Sequence, residues 1–84
     1  MTNRPLPRCY PAPICGALAD VIREHREARG LSGYALAKQA GISRGMVGKV
    51  EKRRSVPTVD LVARICAVFG ITVTKLIGLA EQRC

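Results

Sequence analysis

Basic side chains crowd one segment of this chain, and their chemistry suits phosphates and DNA base edges. Residues 31–57 carry six basic and one acidic side chain, a net charge of +5, within a chain of 84 residues whose net charge is +8. Arg44 has a forked, permanently charged guanidinium that can donate to guanine O6 and N7 together, and Lys49 can reach a base or a phosphate. The run Lys52, Arg53 and Arg54 can clamp a backbone without reading its sequence. The alternative interpretation is a charge excess that only keeps the protein soluble.

Two helices joined by a tight turn must position these groups. The stretch LSGYALAKQAGISRGMVGKVE, residues 31–51, places Ser32 and Ser43 where each can cap a helix through its side-chain oxygen. Gly41 lies where the first helix ends and the chain turns, a position that favours a positive φ. A helix pair of this kind presents its second helix outward, where it can enter the major groove of DNA. Apolar residues recur at helical spacing on the facing sides: Leu36, Ala37, Ala40, Ile42, Val47 and Val50.

The pattern resembles the Xre/Cro-like helix-turn-helix family, and the resemblance extends over residues 16–79. It implies an all-α, five-helix domain similar to that of the lambdoid phage repressors. It also implies a sequence-specific regulator of transcription, in particular a repressor, that binds double-stranded DNA as a homodimer on a palindromic operator. Five residues stand at the spacing typical of the family: Leu36, Ala37, Gly41, Glu51 and Pro57.

Helical periodicity and capping residues predict helices over residues 14–29, 33–39, 44–52 and 59–69, and a fifth helix from residue 73. Residues 1–13 hold four of the five prolines and predict a flexible arm. That arm could carry Arg4 and Arg8 to DNA, or it could be an unattached terminus. Residues 14–84 are expected to form the DNA-binding domain, with the last helix as its dimerisation element.

The resemblance also implies roles for individual residues. Arg26 and Glu51 match an ion pair of related repressors, although they could also be two unrelated surface charges. Gly45 and Gly48 depart from the polar residues usual in the family, so they either let the helix backbone approach the groove closely or leave the helix frayed. The expected base contacts are Arg44, Gly45, Gly48 and Lys49. The expected phosphate contacts are Ser32, Gly33, Ser43, Lys52, Arg53, Arg54 and Arg26, and the expected dimer contacts are Leu76, Ile77 and Leu79.

Other kinds of function find little support in the sequence. Four cysteines and one histidine form no CxxC or HxxxH pair, so we expect no metal and no cofactor. Cys66 falls on an apolar helical stripe and is expected to be buried. Because no catalytic set of residues stands out and no apolar run spans a membrane, we expect a cytoplasmic, non-enzymatic protein. The resemblance implies a bacterial or phage source. Three alternatives remain: the antitoxin of a toxin–antitoxin pair with a toxin or other regulatory protein as partner, the controller of a restriction system, and a protein-interaction module that has lost DNA binding.

Overall fold

Five α-helices make up the part of the chain that the computed structural model describes, residues 14–83. They are α1 (Ile14–Ala28), α2 (Gly33–Ala40), α3 (Met46–Glu51), α4 (Val59–Phe69) and α5 (Val73–Gln82). Residues 14–83 contain no β-strand, so the prediction of an all-α fold with five helices is confirmed. The predicted arm, residues 1–13, lies outside the described residues, as does Cys84.

Three of the helices begin at a hydroxyl side chain that caps them. Ser32, Thr58 and Thr72 have extended backbone, and each side-chain oxygen accepts a hydrogen bond from the backbone N–H three residues later, at 3.0, 3.1 and 3.0 Å. Such bonds satisfy backbone donors that have no partner inside the helix. The predicted cap at Ser32 is therefore confirmed. The helix starts at residues 33, 59 and 73 also agree with the sequence prediction.

The start of α3 differs from the prediction. The N-cap is Gly45, which has no side-chain cap, and the helix begins at Met46 instead of Arg44. The prediction that the Ser43 side chain caps this helix is therefore wrong, and it is the Ser43 carbonyl that accepts a hydrogen bond from the Met46 N–H at 3.1 Å. Glycine disfavours regular helix because it loses the most backbone freedom on ordering, so a turn over residues 44–45 replaces the first expected turn of helix.

The core is built from all five helices and contains no buried polar or charged side chain among the described residues. α1 packs against α5 and α3, α2 packs against α3 and α4, and α4 packs against α5. Because α1 and α2 are the main packing partners of α3, its opposite side faces away from the domain. The largest fully buried side chains are Ile22, Leu36, Ile65, Leu76, Val21, Val47, Val50 and Cys66.

A sharp bend separates α4 from α5. α4 ends at Phe69 and is followed by Gly70, whose φ is 71°, and the two helices are bent by 98° relative to each other. The bend lets α5 return along α1, against which it packs. In the described part of the chain no single helix has the length and apolarity of a membrane span, and α4 with α5 reaches that length only as this bent pair.

Candidate nucleic-acid interface

One side of α3 is anchored in the core and the other is exposed. Val47 and Val50 are 1% and 2% exposed. On the other side Arg44, Gly45 and Lys49 are exposed, and Gly48 is half-buried. The structure therefore brings the four predicted base-contacting residues together on the outward face of the helix-turn-helix segment, which we call the α3 outer face (Arg44, Gly45, Gly48 and Lys49).

Tyr34 supports the side chain of Arg44, a contact that the sequence did not reveal. The guanidinium carbon of Arg44 lies 5.0 Å from the centroid of the Tyr34 ring. Tyr34 is 56% exposed and lies in the first turn of α2. A cation–π contact at an exposed site contributes about 0.5–1 kcal/mol and narrows the range of positions that the guanidinium samples. The only signal in the sequence was a large aromatic residue directly after Gly33, in a helix with few other large exposed groups.

The glycines of the α3 outer face are not required by the fold. A Cβ atom added to Gly45 or Gly48 would meet no other atom within 4 Å, and neither residue has a positive φ. A Cβ added to Gly33 would meet Val47 at 3.7 Å, an ordinary van der Waals contact. The bare backbone at residues 45 and 48 is therefore open to whatever approaches this face from outside.

An ion pair fixes the end of α3 against α1, as predicted. Arg26 Nε and Nη2 donate to the two carboxylate oxygens of Glu51 at 2.8 and 3.0 Å, and Arg26 Nη1 donates to the Leu31 carbonyl at 2.8 Å. The side chains of Arg26 and Glu51 are only 16% and 11% exposed. The bond to Glu51 raises the pKa of the Arg26 guanidinium. Because all three of its nitrogens have partners inside the domain, Arg26 orients α3 and presents little free guanidinium surface to a phosphate.

The basic residues after α3 point in different directions. The chain leaves α3 through hydrogen bonds from the Arg53 N–H to the Val50 carbonyl at 3.0 Å and from the Arg54 N–H to the Lys49 carbonyl at 2.8 Å. This bond pattern places Arg53 in the left-handed region, with φ 61°. Lys52 and Arg54 are exposed, and no carboxylate of the described residues pairs with them. Arg53 instead turns towards α1, where Nη2 donates to Asp20 Oδ2 at 2.8 Å.

The remaining predicted phosphate contacts lie at the two helix starts of the motif. Ser32 is exposed beside the first residue of α2, Gly33, which is half-buried. Ser43 is exposed just before the turn that leads into α3. With Lys52 and Arg54, these residues supply hydroxyls, backbone N–H groups and cations, the donors that proteins use to hold DNA phosphates.

The predicted dimer residues do not share one exposed surface. Leu76 is fully buried in the core, so its assignment to a partner surface is corrected, while Ile77 and Leu79 are partly buried. Val56 and Val59, by contrast, are 74% and 77% exposed. Val59 forms part of the wall of an open apolar groove of about 210 Å³, and Val56 directly precedes Pro57, which also lines it. The groove is lined by Ile14, Cys15, Leu18, Pro57, Val59, Val62, Val73 and Ile77.

The two cysteines within residues 14–83 lie in apolar surroundings. Cys66 is buried as predicted, and burial raises the pKa of its thiol. Cys15 is half-buried at the apolar groove. Among the described residues, no three His, Cys, Asp or Glu side chains lie together in a way that could hold a metal ion.

Comparison with known proteins places the fold among bacterial regulators. A model of the helix-turn-helix family HTH_3 matches residues 22–76. The clp gene regulator ClgR from Corynebacterium glutamicum is 24% identical with a TM-score of 0.77, over 83% of this chain and 74% of that one. The restriction-modification controller protein C.AhdI from Aeromonas hydrophila is 27% identical with a TM-score of 0.70, over 74% and 94% of the two chains. The hypothetical transcription factor NHTF from Neisseria is 26% identical with a TM-score of 0.74, over 92% and 86%. No curated protein sequence matches the chain.

Proposed function

Because the chain belongs to the helix-turn-helix family HTH_3, we propose that it is a regulator of transcription that binds double-stranded DNA through α3. The observation that carries this proposal is the α3 outer face. Its basic side chains are exposed around a bare backbone, and the Arg26–Glu51 pair holds the helix in one orientation. An exposed helix of about 10 Å diameter fits the major groove, which is about 12 Å wide.

In this proposal Arg44 provides the principal base contact. Its guanidinium, supported by Tyr34, donates to O6 and N7 of one guanine, while Lys49 reaches a second base or a phosphate. Gly45 and Gly48 let the backbone of α3 come close to the base edges. Each good bidentate contact discriminates by about 1–3 kcal/mol, whereas specific sites are typically favoured by about 4–10 kcal/mol over random DNA. One copy of α3 therefore supplies too few contacts for a specific site.

We assign the phosphate contacts to groups that border this face. Lys52 and Arg54 supply free cations, and the hydroxyls of Ser32 and Ser43 supply donors. The N-terminus of α2 at Gly33 adds backbone N–H groups and the positive end of a helix dipole. These contacts set the position of α3 on the duplex and do not distinguish sequences.

The need for a second half-site favours a homodimer. A second copy of this chain is the occupant that we propose for the apolar surface around Val56, Val59 and Ile77. Leu79 stays a proposed dimer contact. This surface begins at the loop that leaves α3, and we propose a two-fold axis there that places both copies of α3 on one side of the dimer. For a two-fold dimer on B-DNA, the two helices would lie about 34 Å apart, one turn of the duplex.

We propose repression as the mode of action, because a dimer bound across a promoter blocks access to that promoter. This block needs no protein surface other than those that bind DNA and the second copy. Control of a restriction-modification system is the second candidate, favoured by the structural similarity to C.AhdI. The antitoxin role and the module without DNA binding stay as alternatives. Both the repressor and the controller act on DNA in the bacterial cytoplasm.

Binding to a fluorescein-labelled random-sequence duplex over a series of salt concentrations tests the proposal. We expect Kd values of about 10⁻⁴–10⁻⁶ M at physiological salt that weaken steeply as salt rises. Arg54→Gln should lower the slope of log K against log salt by about 0.9, whereas the matched control Lys75→Gln on α5 should leave it unchanged. Sedimentation on a duplex selected from random DNA should give two protein chains per duplex. A module that has lost DNA binding would show no salt-dependent binding at all.

A further inference from the structure

Arg53 occupies a backbone position that arginine does not favour. It is the only non-glycine residue of the described part with a positive φ, 61°. α1, α2 and α4 are each followed by a glycine with φ between 67° and 71°: Gly30, Gly41 and Gly70. The left-handed region costs side-chain-bearing residues free energy because Cβ approaches the following carbonyl. The end of α3 therefore keeps an arginine where glycine would be the less strained residue.

The side chain of Arg53 is held on α1 by a carboxylate. Nη2 lies 2.8 Å from Asp20 Oδ2, and the guanidinium lies over Gly16, where an added Cβ would be 3.2 Å from the guanidinium carbon. The other oxygen of Asp20 lies 3.6 Å from Arg23 Nη2. Asp20 thus stands between two arginines, and its charge is balanced even when one of them leaves.

The contribution of the Arg53–Asp20 pair to folding stability does not explain why residue 53 is an arginine. The side chains of Arg53 and Asp20 are 59% and 30% exposed. An exposed pair of this kind shifts a folding equilibrium by roughly one- to fivefold. The left-handed backbone costs at least a comparable factor. The pair therefore offsets at most the strain that the arginine introduces, so folding stability gives no reason for an arginine at this position.

We propose that Asp20 is an intramolecular competitor that holds Arg53 in the free protein and releases it to a DNA phosphate in the complex. This inference rests on the proposed function. Lys52 and Arg54 flank Arg53 and bring the phosphate backbone to the same loop. When Arg53 leaves α1, Arg23 remains beside Asp20 and limits the cost of the exchange. Asp20 then determines how tightly the protein binds any duplex, without contacting DNA itself.

The proposed exchange predicts different changes in DNA binding for substitutions of Arg53 and of Asp20. Arg53→Gln removes a phosphate contact, so the slope of log K against log salt falls by about 0.9. Glutamine keeps a side chain at the left-handed position, so the backbone change is small. Asp20→Asn removes only the competitor, so affinity should rise about two- to fivefold with an unchanged slope.

A double-mutant cycle on the labelled random-sequence duplex separates this effect from a change in net charge. Glu24→Gln is the matched control, because Glu24 lies one turn further along α1 and pairs with Arg83. Asp20→Asn should raise the affinity for the duplex more than Glu24→Gln does. When Arg53→Gln is also present, the two carboxylate variants should raise the affinity equally. Thermal unfolding of each variant establishes that it is folded.

Three outcomes overturn the inference alone: no larger gain from Asp20→Asn than from Glu24→Gln, a gain from Asp20→Asn that persists without Arg53, or a salt slope unchanged by Arg53→Gln. All three presuppose that the wild-type protein binds the duplex. Wild-type protein that binds no duplex at low salt overturns the proposed function and, with it, the role of Asp20.

Discussion

Replacing Gly48 with alanine should stabilise the domain and weaken its binding to DNA. Gly48 is the third of the six residues of α3, and its backbone is helical. An added methyl group would meet no atom of the protein within 4 Å. The fold therefore offers no reason for glycine at this position. The proposed close approach of DNA to the α3 backbone offers one.

The two effects can be estimated separately. Alanine is favoured over glycine inside a helix by about 0.8–1.0 kcal/mol, because glycine loses more backbone freedom on folding. For a domain of this size, 1 kcal/mol raises Tm by about 4–8 °C. At the interface, a methyl group that displaces α3 enough to disturb one bidentate base contact costs about 1–3 kcal/mol, roughly a 5- to 150-fold loss of affinity.

Thermal unfolding and titration with a selected duplex measure these opposite changes on the same preparation. Gly78→Ala is the control for the folding part, since Gly78 lies inside α5 and an added Cβ there also meets nothing within 4 Å. A Gly48→Ala protein with raised Tm and unchanged affinity would show that the bare backbone has no part in binding. A lowered Tm would contradict the claim that the fold has room for a side chain at residue 48.

Three further experiments test other parts of the molecule. Arg44→Ala should cost about 1–3 kcal/mol on a selected duplex and relax the preference at one base pair in selections from random DNA; an unchanged preference would refute direct readout. A double-mutant cycle with Arg26→Ala and Glu51→Ala, followed by denaturant unfolding, should give a coupling of about 0.5–3 kcal/mol, and additive effects would show that the bonds contribute no net stability. Burial, followed by the charge of Arg29, lowers the pKa of His25 below 6.5, so the native state favours neutral histidine. Stability should therefore be complete above pH 6.5 and fall as pH drops through the lowered pKa, and His25→Gln should remove this component from Tm measured against pH.

The helices could be predicted from the sequence where local chemistry determines them. Thr58 and Thr72 cap through bonds to residues three positions away, and apolar periodicity marks the helices that follow, so α4 and the start of α5 agree with prediction. The start of α3 was misjudged because Ser43 looked like a cap, whereas the helix begins after Gly45, two residues later than predicted. Arg53 in the left-handed region gave no signal, since glycine is the residue that usually marks such a turn.

Side-chain partners were harder to predict, because they depend on how the helices pack. The Arg26–Glu51 pair joins residues 25 positions apart and was expected only through the family resemblance. Nothing local indicated that Arg53 would turn to Asp20, and the aromatic residue after Gly33 did not by itself show that Tyr34 would lie under Arg44. Leu76 was placed on a partner surface because the sequence gives the apolar face of α5 without showing which helix covers it, and α1 and α4 do so. The base, phosphate and dimer contacts remain predictions.

The packing of α1 against α5 has a consequence for how the protein is made. A ribosome synthesises α1 before α5, so the face of α1 that α5 covers stays uncovered until the residues between them and α5 itself have been made. At about 5–20 residues per second, the interval is a few seconds. Bonds between the ends of these helices, such as Arg83 to Glu24, can form only after residue 83 has emerged. The residues of the helix-turn-helix motif are therefore synthesised well before α5 can pack against α1 and complete the core. A nascent chain interrupted after α4 would expose its apolar core to proteases.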